Sequence, residues 1–221
     1  MWTRLVAGAV AHDINNLTQG LFDVFALSSA PDTSPEARTR YEELARDGIK
    51  ELQRLGRNLR TLADADAATE PQRLDLACAD AVAGLQPSAG RSLVPAAPTG
   101  PLLVAGGRPA LLLAISGIVR YAESASPPGS AIRISVGSDG GEAFVVVDAP
   151  AAPMRAPAET TLSSLMSGAE RRFASDAGLV VAAAAVTMCG GEVRVGPSDG
   201  GGMRFKLSFR RVEPRRGEGG E

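Results

Sequence analysis

The first third of the chain repeats apolar residues at the spacing of two long helices that pack against other helices. The first run is Val10, Ile14, Leu17, Leu21 and Val24. The second run is Tyr41, Ala45, Gly48, Leu52, Leu55, Leu59 and Leu62. Such a heptad stripe is buried only where another helix covers it. The two runs therefore predict a helical hairpin that pairs with a second copy to form a four-helix bundle.

The segment between the two runs contains the residues that end one helix and begin the next. Residues 29–35 interrupt the apolar spacing with two prolines. Ser34 is placed to cap the second helix, with Pro35 in its first turn and Glu36 near its positive end. We therefore predict an antiparallel hairpin within residues 1–65.

The remainder of the chain mixes helical and strand-like segments. Helices are predicted over Leu74 to Leu85, Pro109 to Glu123 and Gly178 to Met188. Strands are predicted over Leu102 to Val104, Ala131 to Val136, Ala143 to Val147, Glu192 to Val195 and Met203 to Phe209. The fold class is therefore α+β, with an α/β sandwich over residues 73–212 and a disordered tail over residues 213–221.

Composition excludes several classes of protein. A hydrophobic fraction of 44% is too high for a disordered chain, and a net charge of -2 argues against a nucleic-acid binder. No apolar stretch approaches the roughly 18 residues of a membrane span. Cys78 and Cys189 stand far apart without metal-ligand spacing, so we expect buried thiols in a reducing, cytoplasmic setting.

The single histidine, His12, begins a polar stripe on the first predicted helix. Asn16, Gln19 and Asp23 continue this stripe, about 160° round the helix from Ile14. An exposed imidazole is a competent nucleophile, Asp13 can orient it or act as a base, and Asn16 can position a phosphoryl oxygen or a water. By itself, a surface histidine beside an aspartate is more often only part of a solvated helix face.

The segment around this histidine reads Ala11-His12-Asp13-Ile14-Asn15-Asn16-Leu17-Thr18. It resembles the H-box of bacterial sensor histidine kinases, whose typical form is Ala-His-Asp-Phe-Asn-Asn-Leu-Leu. The resemblance implies that His12 is phosphorylated, that Asp13 assists it, and that Asn16 supports dephosphorylation of the partner regulator. It also implies that the hairpin dimerises.

The later segments resemble the ATP-binding domain of the same family in layout but not in nucleotide-binding residues. Gly117 stands where the family has a magnesium-binding asparagine, and glycine offers no side-chain oxygen. Asp148-Ala149-Pro150-Ala151-Ala152 lacks both glycines of the adenine motif. Ala174-Ser175-Asp176-Ala177-Gly178-Leu179 keeps only the final Gly-Leu of the phosphate motif, and Asp176 adds a negative charge there.

Other interpretations of two of these residues remain open. For Asp148, a strand-end residue that caps the following turn is a simpler interpretation than a retained adenine contact. Gly178 is more simply a site of close helix packing than a phosphate contact. The chain is therefore expected to bind neither a nucleotide nor a metal.

The sequence as a whole predicts histidine phosphotransfer between receiver-domain aspartates through His12, Asp13 and Asn16. Magnesium would be supplied by the receiver domain of the partner. The architecture resembles dimeric phosphotransferases of bacterial cell-cycle and sporulation relays. One alternative is an ATP-dependent histidine kinase core with a divergent nucleotide site. Another is a non-catalytic dimeric docking protein for a response regulator.

Overall fold

The computed structural model describes residues 2–64, 70–86, 91–95, 100–153, 160–167 and 176–212. It begins with the expected hairpin, formed by α1 (Trp2–Ser28) and α2 (Pro35–Ala63). The predicted tail at residues 213–221, and Ala174 and Ser175 of the phosphate motif, lie outside the described residues.

The start of α2 is the one predicted from the sequence. The Ser34 hydroxyl accepts a hydrogen bond from the Ala37 amide at 3.2 Å, and Pro35 occupies the first turn. Backbone and Ser34 hydrogen bonds lower the pKa of Glu36, as the positive end of a helix favours. Both the cap and the break between the helices are confirmed.

The second part of the chain combines eight strands with four helices among the described residues. The strands are β1 (Gln72–Arg73), β2 (Ser92–Pro95), β3 (Leu103–Val104), β4 (Ala131–Asp139), β5 (Glu142–Ala149), β6 (Thr160–Thr161), β7 (Glu192–Pro197) and β8 (Met203–Arg210). The helices are α3 (Leu74–Ala83), α4 (Arg108–Ala125), α5 (Leu162–Ser167) and α6 (Ala177–Met188). The predicted longer elements are all present, whereas β1, β6 and α5 were not predicted, and β2 lies in the Pro87 to Pro101 segment, which the sequence left open between a loop and a short strand.

Six strands form the main sheet in the order β2-β4-β5-β8-β7-β6, and β1 pairs with β3 in a separate ladder. Only β2 and β4 run parallel in the main sheet. The β4–β5 hairpin turns at Gly140 and Gly141, whose φ values of 53° and 93° suit a tight turn between antiparallel strands.

One face of this sheet is covered by helices and holds the core. Alternate residues of the central strands point to that face and are buried, among them Ile132, Ile134, Val145, Val147, Phe205 and Leu207. Helices α3, α4 and α6 contact the sheet. Cys78 and Cys189 are also buried, and burial raises the pKa of each thiol to about 11, so both are inert core residues. The α+β fold class is confirmed.

The open end of the hairpin packs on α6 within the same chain. Ala9 and Leu55 are 3% and 4% exposed and belong to the core. Val10, Leu59 and Leu62 are partly buried against it. This part of the predicted heptad stripe is therefore already covered without a second copy.

The apolar surface that remains exposed follows a different stripe from the one expected. Leu21 faces α2 within the chain, where it lies 3.1 Å from the position that a Cβ of Gly48 would occupy. The uncovered apolar side chains of the hairpin are Ile14, Phe22, Phe25, Leu27, Leu44 and Ile49. The expectation that the heptad stripe is the uncovered surface holds only for Ile14, because the helices of the hairpin and α6 bury Leu55 and partly cover the other positions of the stripe.

Two further observations bear on the class of protein. No helix among the described residues is long and apolar enough to cross a membrane. In the same residues, no group of three or more histidine, cysteine or acidic side chains is arranged to hold a metal ion.

Candidate functional site

His12 lies on the exposed face of α1, with 54% of its side chain accessible. One turn later, the Asn16 amide nitrogen lies 3.2 Å from His12 Nδ1 and 3.3 Å from His12 Nε2. Gln19 donates to Asp23 at 2.9 Å on the same face. Because residues four apart stack on a helix surface, the polar stripe predicted from the sequence forms two contacting pairs, His12 with Asn16 and Gln19 with Asp23.

Asp13 connects His12 to a distant part of the chain. Its Oδ1 lies 3.3 Å from His12 Nδ1, and its Oδ2 accepts a hydrogen bond from the Ala177 amide at 3.0 Å. A carboxylate only accepts, so the contact with the ring is a hydrogen bond when the imidazole hydrogen is on Nδ1. That tautomer leaves the lone pair on Nε2, where it accepts from the Asn16 amide at 3.3 Å and becomes the nucleophile once an incoming phosphoryl group displaces that amide.

The first turn of α6 holds two carboxylates of this chain. Asp176 caps the helix and accepts from the Leu179 amide at 2.7 Å, while Asp13 accepts from Ala177. Burial raises the pKa of Asp176, nearby Asp13 raises it further, and Arg54 opposes this. The positive end of a helix favours anions. Here that position is already occupied by negative side chains, where an incoming phosphate would meet repulsion.

Arg54 of α2 is the cation closest to this carboxylate cluster. It forms an ion pair with Glu51, and that pair raises the pKa of Arg54 and lowers that of Glu51. It also lies 3.6 Å from the position that a Cβ of Gly178 would occupy. Sequence reasoning missed this residue, because its neighbours resemble those of any arginine on a helix surface.

Gly117 packs directly against α6. A Cβ at this position would lie 2.5 Å from the Ala182 Cβ and 3.3 Å from the Gly178 carbonyl oxygen. An asparagine here would require α4 and α6 to move apart. The lack of a side chain at Gly117 therefore lets the two helices touch.

Little space remains where α2, α4 and α6 meet. The cavity there measures about 290 Å³, and its lining includes Glu51, Arg54, Gly117, Arg120 and Asp176. Cavities that hold ligands measure about 300–1,000 Å³. This cavity is therefore at the lower limit of size, and three acidic residues, Glu51, Glu123 and Asp176, line it.

Asp148 forms ion pairs with two arginines of the main sheet. It lies within β5, and its side chain is 3.5 Å from Arg133 of β4 and 3.3 Å from Arg204 of β8. It pairs with these arginines across adjacent strands, on the sheet face opposite to the buried residues Val147 and Ala149. The expectation that it caps the following turn was wrong because two flanking cations hold its carboxylate on the strand.

Comparison with known proteins identifies the architecture. No protein-family model and no curated protein matches the sequence. Among solved structures, the chain is similar to the Acinetobacter baumannii histidine kinase AdeS, with 16% identity and a TM-score of 0.58 over 91% of this chain and 96% of that one. The chain has a histidine kinase-like fold. The fold therefore agrees with the family that the H-box segment around His12 resembles.

Two other solved structures agree with this assignment. Full-length ShkA in complex with AMPPNP gives 15% identity and a TM-score of 0.61, covering 95% of this chain but 46% of ShkA. The mycobacterial sensor histidine kinase MprB gives 16% identity and a TM-score of 0.51, covering 66% of this chain and all of that one. At these identities the similarity defines the fold.

Proposed function

We propose that this chain is a histidine phosphotransfer protein of a two-component phosphorelay. His12 takes a phosphoryl group from the aspartate of one receiver domain and passes it to the aspartate of another. The observation that carries the proposal is the exposed His12 ring, hydrogen-bonded through Nδ1 to Asp13 and contacted by Asn16. The histidine kinase-like fold supports it, because it provides the helical hairpin on which such a histidine is presented.

The transfer is an in-line displacement at phosphorus. The Nε2 lone pair of His12 forms the new phosphorus–nitrogen bond as the bond to the receiver aspartate breaks, and that aspartate leaves as a carboxylate. The ring keeps its Nδ1 hydrogen and becomes cationic, so the negative charge of Asp13 stabilises it. Asn16 is placed to donate a hydrogen bond to a phosphoryl oxygen. Magnesium is held by the receiver domain, and transfer to the next receiver is the reverse reaction.

The chain is proposed to carry out this reaction without binding ATP. Gly117 lies against Ala182, and two carboxylates occupy the first turn of α6. The cavity between them is small for a nucleotide. Metal, base and phosphate contacts would all need to be rebuilt together.

We also propose that the active form is a homodimer through the exposed apolar stripe of the hairpin. Phe22 and Phe25 are 68% and 74% exposed, and Ile14 lies on the same side of α1. Leu44 and Ile49 of α2 are also exposed. Because Ile14, Phe22 and Phe25 lie within about 80° of one another around α1, we place the proposed interface on that side of the hairpin.

Two alternatives are tested by the same experiment. A kinase core would transfer phosphate from ATP, and the overall similarity to ShkA, whose structure contains AMPPNP, is the observation that favours it. A docking protein would bind the regulator without accepting phosphate. Each alternative differs from phosphotransfer in the source or the presence of label on His12.

The experiment mixes the chain with a radiolabelled, phosphorylated receiver domain and follows acid-labile label on this chain. Phosphotransfer predicts label from the receiver and none from labelled ATP. The His12→Ala variant should remain unlabelled, whereas Gln19→Ala, a change on the same polar face, should label normally. Label from ATP alone would favour the kinase, and binding of the receiver without label would favour the docking protein.

A further inference from the structure

The outer face of the main sheet carries an open depression that the proposed phosphotransfer does not use. Its volume is about 680 Å³. Apart from Ile134, which belongs to the core, it is lined by residues of β2, β4, β5, β7 and β8, most of which alternate with the buried core residues of the same strands. The side chains concerned therefore point away from α3, α4 and α6, into solvent.

The centre of this depression is apolar. Phe144 and Val146 of β5 are half-buried, and Val94 of the edge strand β2 is 49% exposed. Phe144 lies opposite Gly137, and a Cβ on that glycine would be 2.8 Å from the phenyl ring. The missing side chain lets the ring lie flat across β4, so the aromatic face becomes part of the floor.

Four cationic side chains surround this floor. Lys206 holds its ammonium 4.7 Å from the centre of the Phe144 ring. Arg133, Arg194 and Arg204 line the remainder, and Asp148 is the acidic residue among the lining residues. Asp148 is already shared by Arg133 and Arg204. Counted with the acids Glu192 and Asp199 at its edge, the depression carries four cations and three acids, a local excess of one positive charge on a chain whose net charge is -2.

Two acidic residues at the edge of the depression moderate this charge. Glu192 is 2.7 Å from Arg194, and Asp199 is 2.8 Å from Arg204. Both acids are substantially exposed, Asp199 to 90%. Exposed ion pairs contribute little, so a carboxylate from a partner can replace either acid at small cost.

We propose that this face binds an acidic, extended segment of another protein that also presents an apolar side chain. The arginines and Lys206 would receive its carboxylates, and Phe144 with Val146 would receive the apolar group. The surface is open, unlike the enclosed sites that small molecules occupy. The three strand spacings from β4 to β7 span about 14 Å, which corresponds to roughly four or five extended residues.

The charge pattern favours a protein segment over a nucleic acid or a membrane. The acidic balance of the whole chain repels both of these polyanionic surfaces, whereas a short segment meets only the local positive field. Complementary charge of this kind chiefly raises the association rate and the selectivity. The interaction should therefore weaken as salt is added.

The test uses the full chain and a fluorescent synthetic peptide that alternates glutamate with leucine and phenylalanine, read by anisotropy. Lys206→Glu should weaken binding by about tenfold, because it reverses a charge at the floor. Arg40→Glu makes the same charge change on exposed α2 and should leave binding within about twofold. Val94→Ser should weaken binding without a change of charge. A peptide with glutamine in place of glutamate should bind poorly.

Several outcomes would overturn the proposal. These are equal binding by the Lys206→Glu and Arg40→Glu variants, equal binding of the glutamine peptide, and absence of saturable binding. Lys206-dependent binding to anionic phosphatidylserine vesicles in place of the peptide would also overturn it. If Lys206→Glu lowers the melting temperature, Lys206→Gln removes the charge alone and must still weaken binding. Receiver-to-His12 label transfer is a separate measurement, so failure here leaves the phosphotransfer proposal intact.

Discussion

Replacing Asp13 with alanine tests whether this carboxylate holds the hairpin against α6. The side chain accepts hydrogen bonds from the Ala177 amide at 3.0 Å and, through its other oxygen, from His12 at 3.3 Å. Ala177 is 0% exposed, so the variant leaves its amide buried without this acceptor. A buried unsatisfied amide costs about 1–3 kcal/mol.

Two effects reduce this cost in the present case. The Asp13 side chain is 31% exposed, so water weakens its hydrogen bonds. Its removal also relieves repulsion of Asp176, whose pKa is raised in part by Asp13. We therefore expect Asp13→Ala to lower the free energy of unfolding by about 1–2 kcal/mol. For a chain of this size, that corresponds to a fall in melting temperature of about 2–8 °C.

Two further variants separate position from charge. Asp13→Asn keeps a carbonyl oxygen that can accept from Ala177, so its melting temperature should fall less than half as far. Asp23→Ala removes an exposed acid from the same helix, where it is bonded to Gln19, and should change stability by no more than about 0.5 kcal/mol. Thermal melts followed by circular dichroism provide the comparison. If Asp13→Ala melts at the same temperature as Asp23→Ala, the link to α6 does not contribute to stability and the reasoning fails.

Three other predictions concern the histidine, the helix contact and the dimer. His12→Ala should no longer accept label from a phosphorylated receiver, while its free energy of unfolding changes by about 0.5 kcal/mol or less. Asn16→Ala should still accept label, at a lower rate. Unfolding of the His12 variant in thermal melts would instead identify His12 as a packed structural residue. Gly117→Asn should lower the free energy of unfolding of the protein by about 1–3 kcal/mol in urea titrations, because its Cβ would overlap α6. The same variant should still show no ATP binding in calorimetry, and micromolar ATP binding would contradict this. Replacing Phe22 and Phe25 together with lysine should halve the mass measured by light scattering, and an unchanged mass would place the interface elsewhere.

The sequence predicts the elements of this fold well where they are long. The heptad spacing of Val10 to Val24 gives the first helix, and alternation within Ala131 to Val136 gives a strand with one buried face. The two-residue strands β1 and β6 and the six-residue helix α5 were not predicted because they are too short for any periodicity to emerge.

The candidate site was predicted only where it is local in sequence. His12, Asp13 and Asn16 lie within two turns of one helix, so helical geometry alone places them together. The contact between Asp13 and the Ala177 amide joins residues 164 apart. No spacing in the sequence indicates that contact, because it depends on how the hairpin packs on α6.

The sequence also could not predict which face of the hairpin is covered. The apolar spacing predicts which residues avoid water, but not which neighbour covers them. Ile14 belongs to the predicted stripe and is nevertheless 41% exposed, whereas Ala9 lies outside it and is 3% exposed. The difference arises because α6 meets one end of the hairpin only, which depends on tertiary packing.

The close approach of Gly117 to Ala182 also restricts how this chain can change over evolutionary time. Any residue with a Cβ at position 117 would meet the Ala182 methyl group at 2.5 Å, so the first step toward an asparagine there is destabilising. Trimming Ala182 to glycine first would leave a gap in a buried helix and reduce its helical propensity. Both single-step routes therefore pass through a less stable protein, and a larger residue is accommodated at position 117 without loss of stability only by paired substitution.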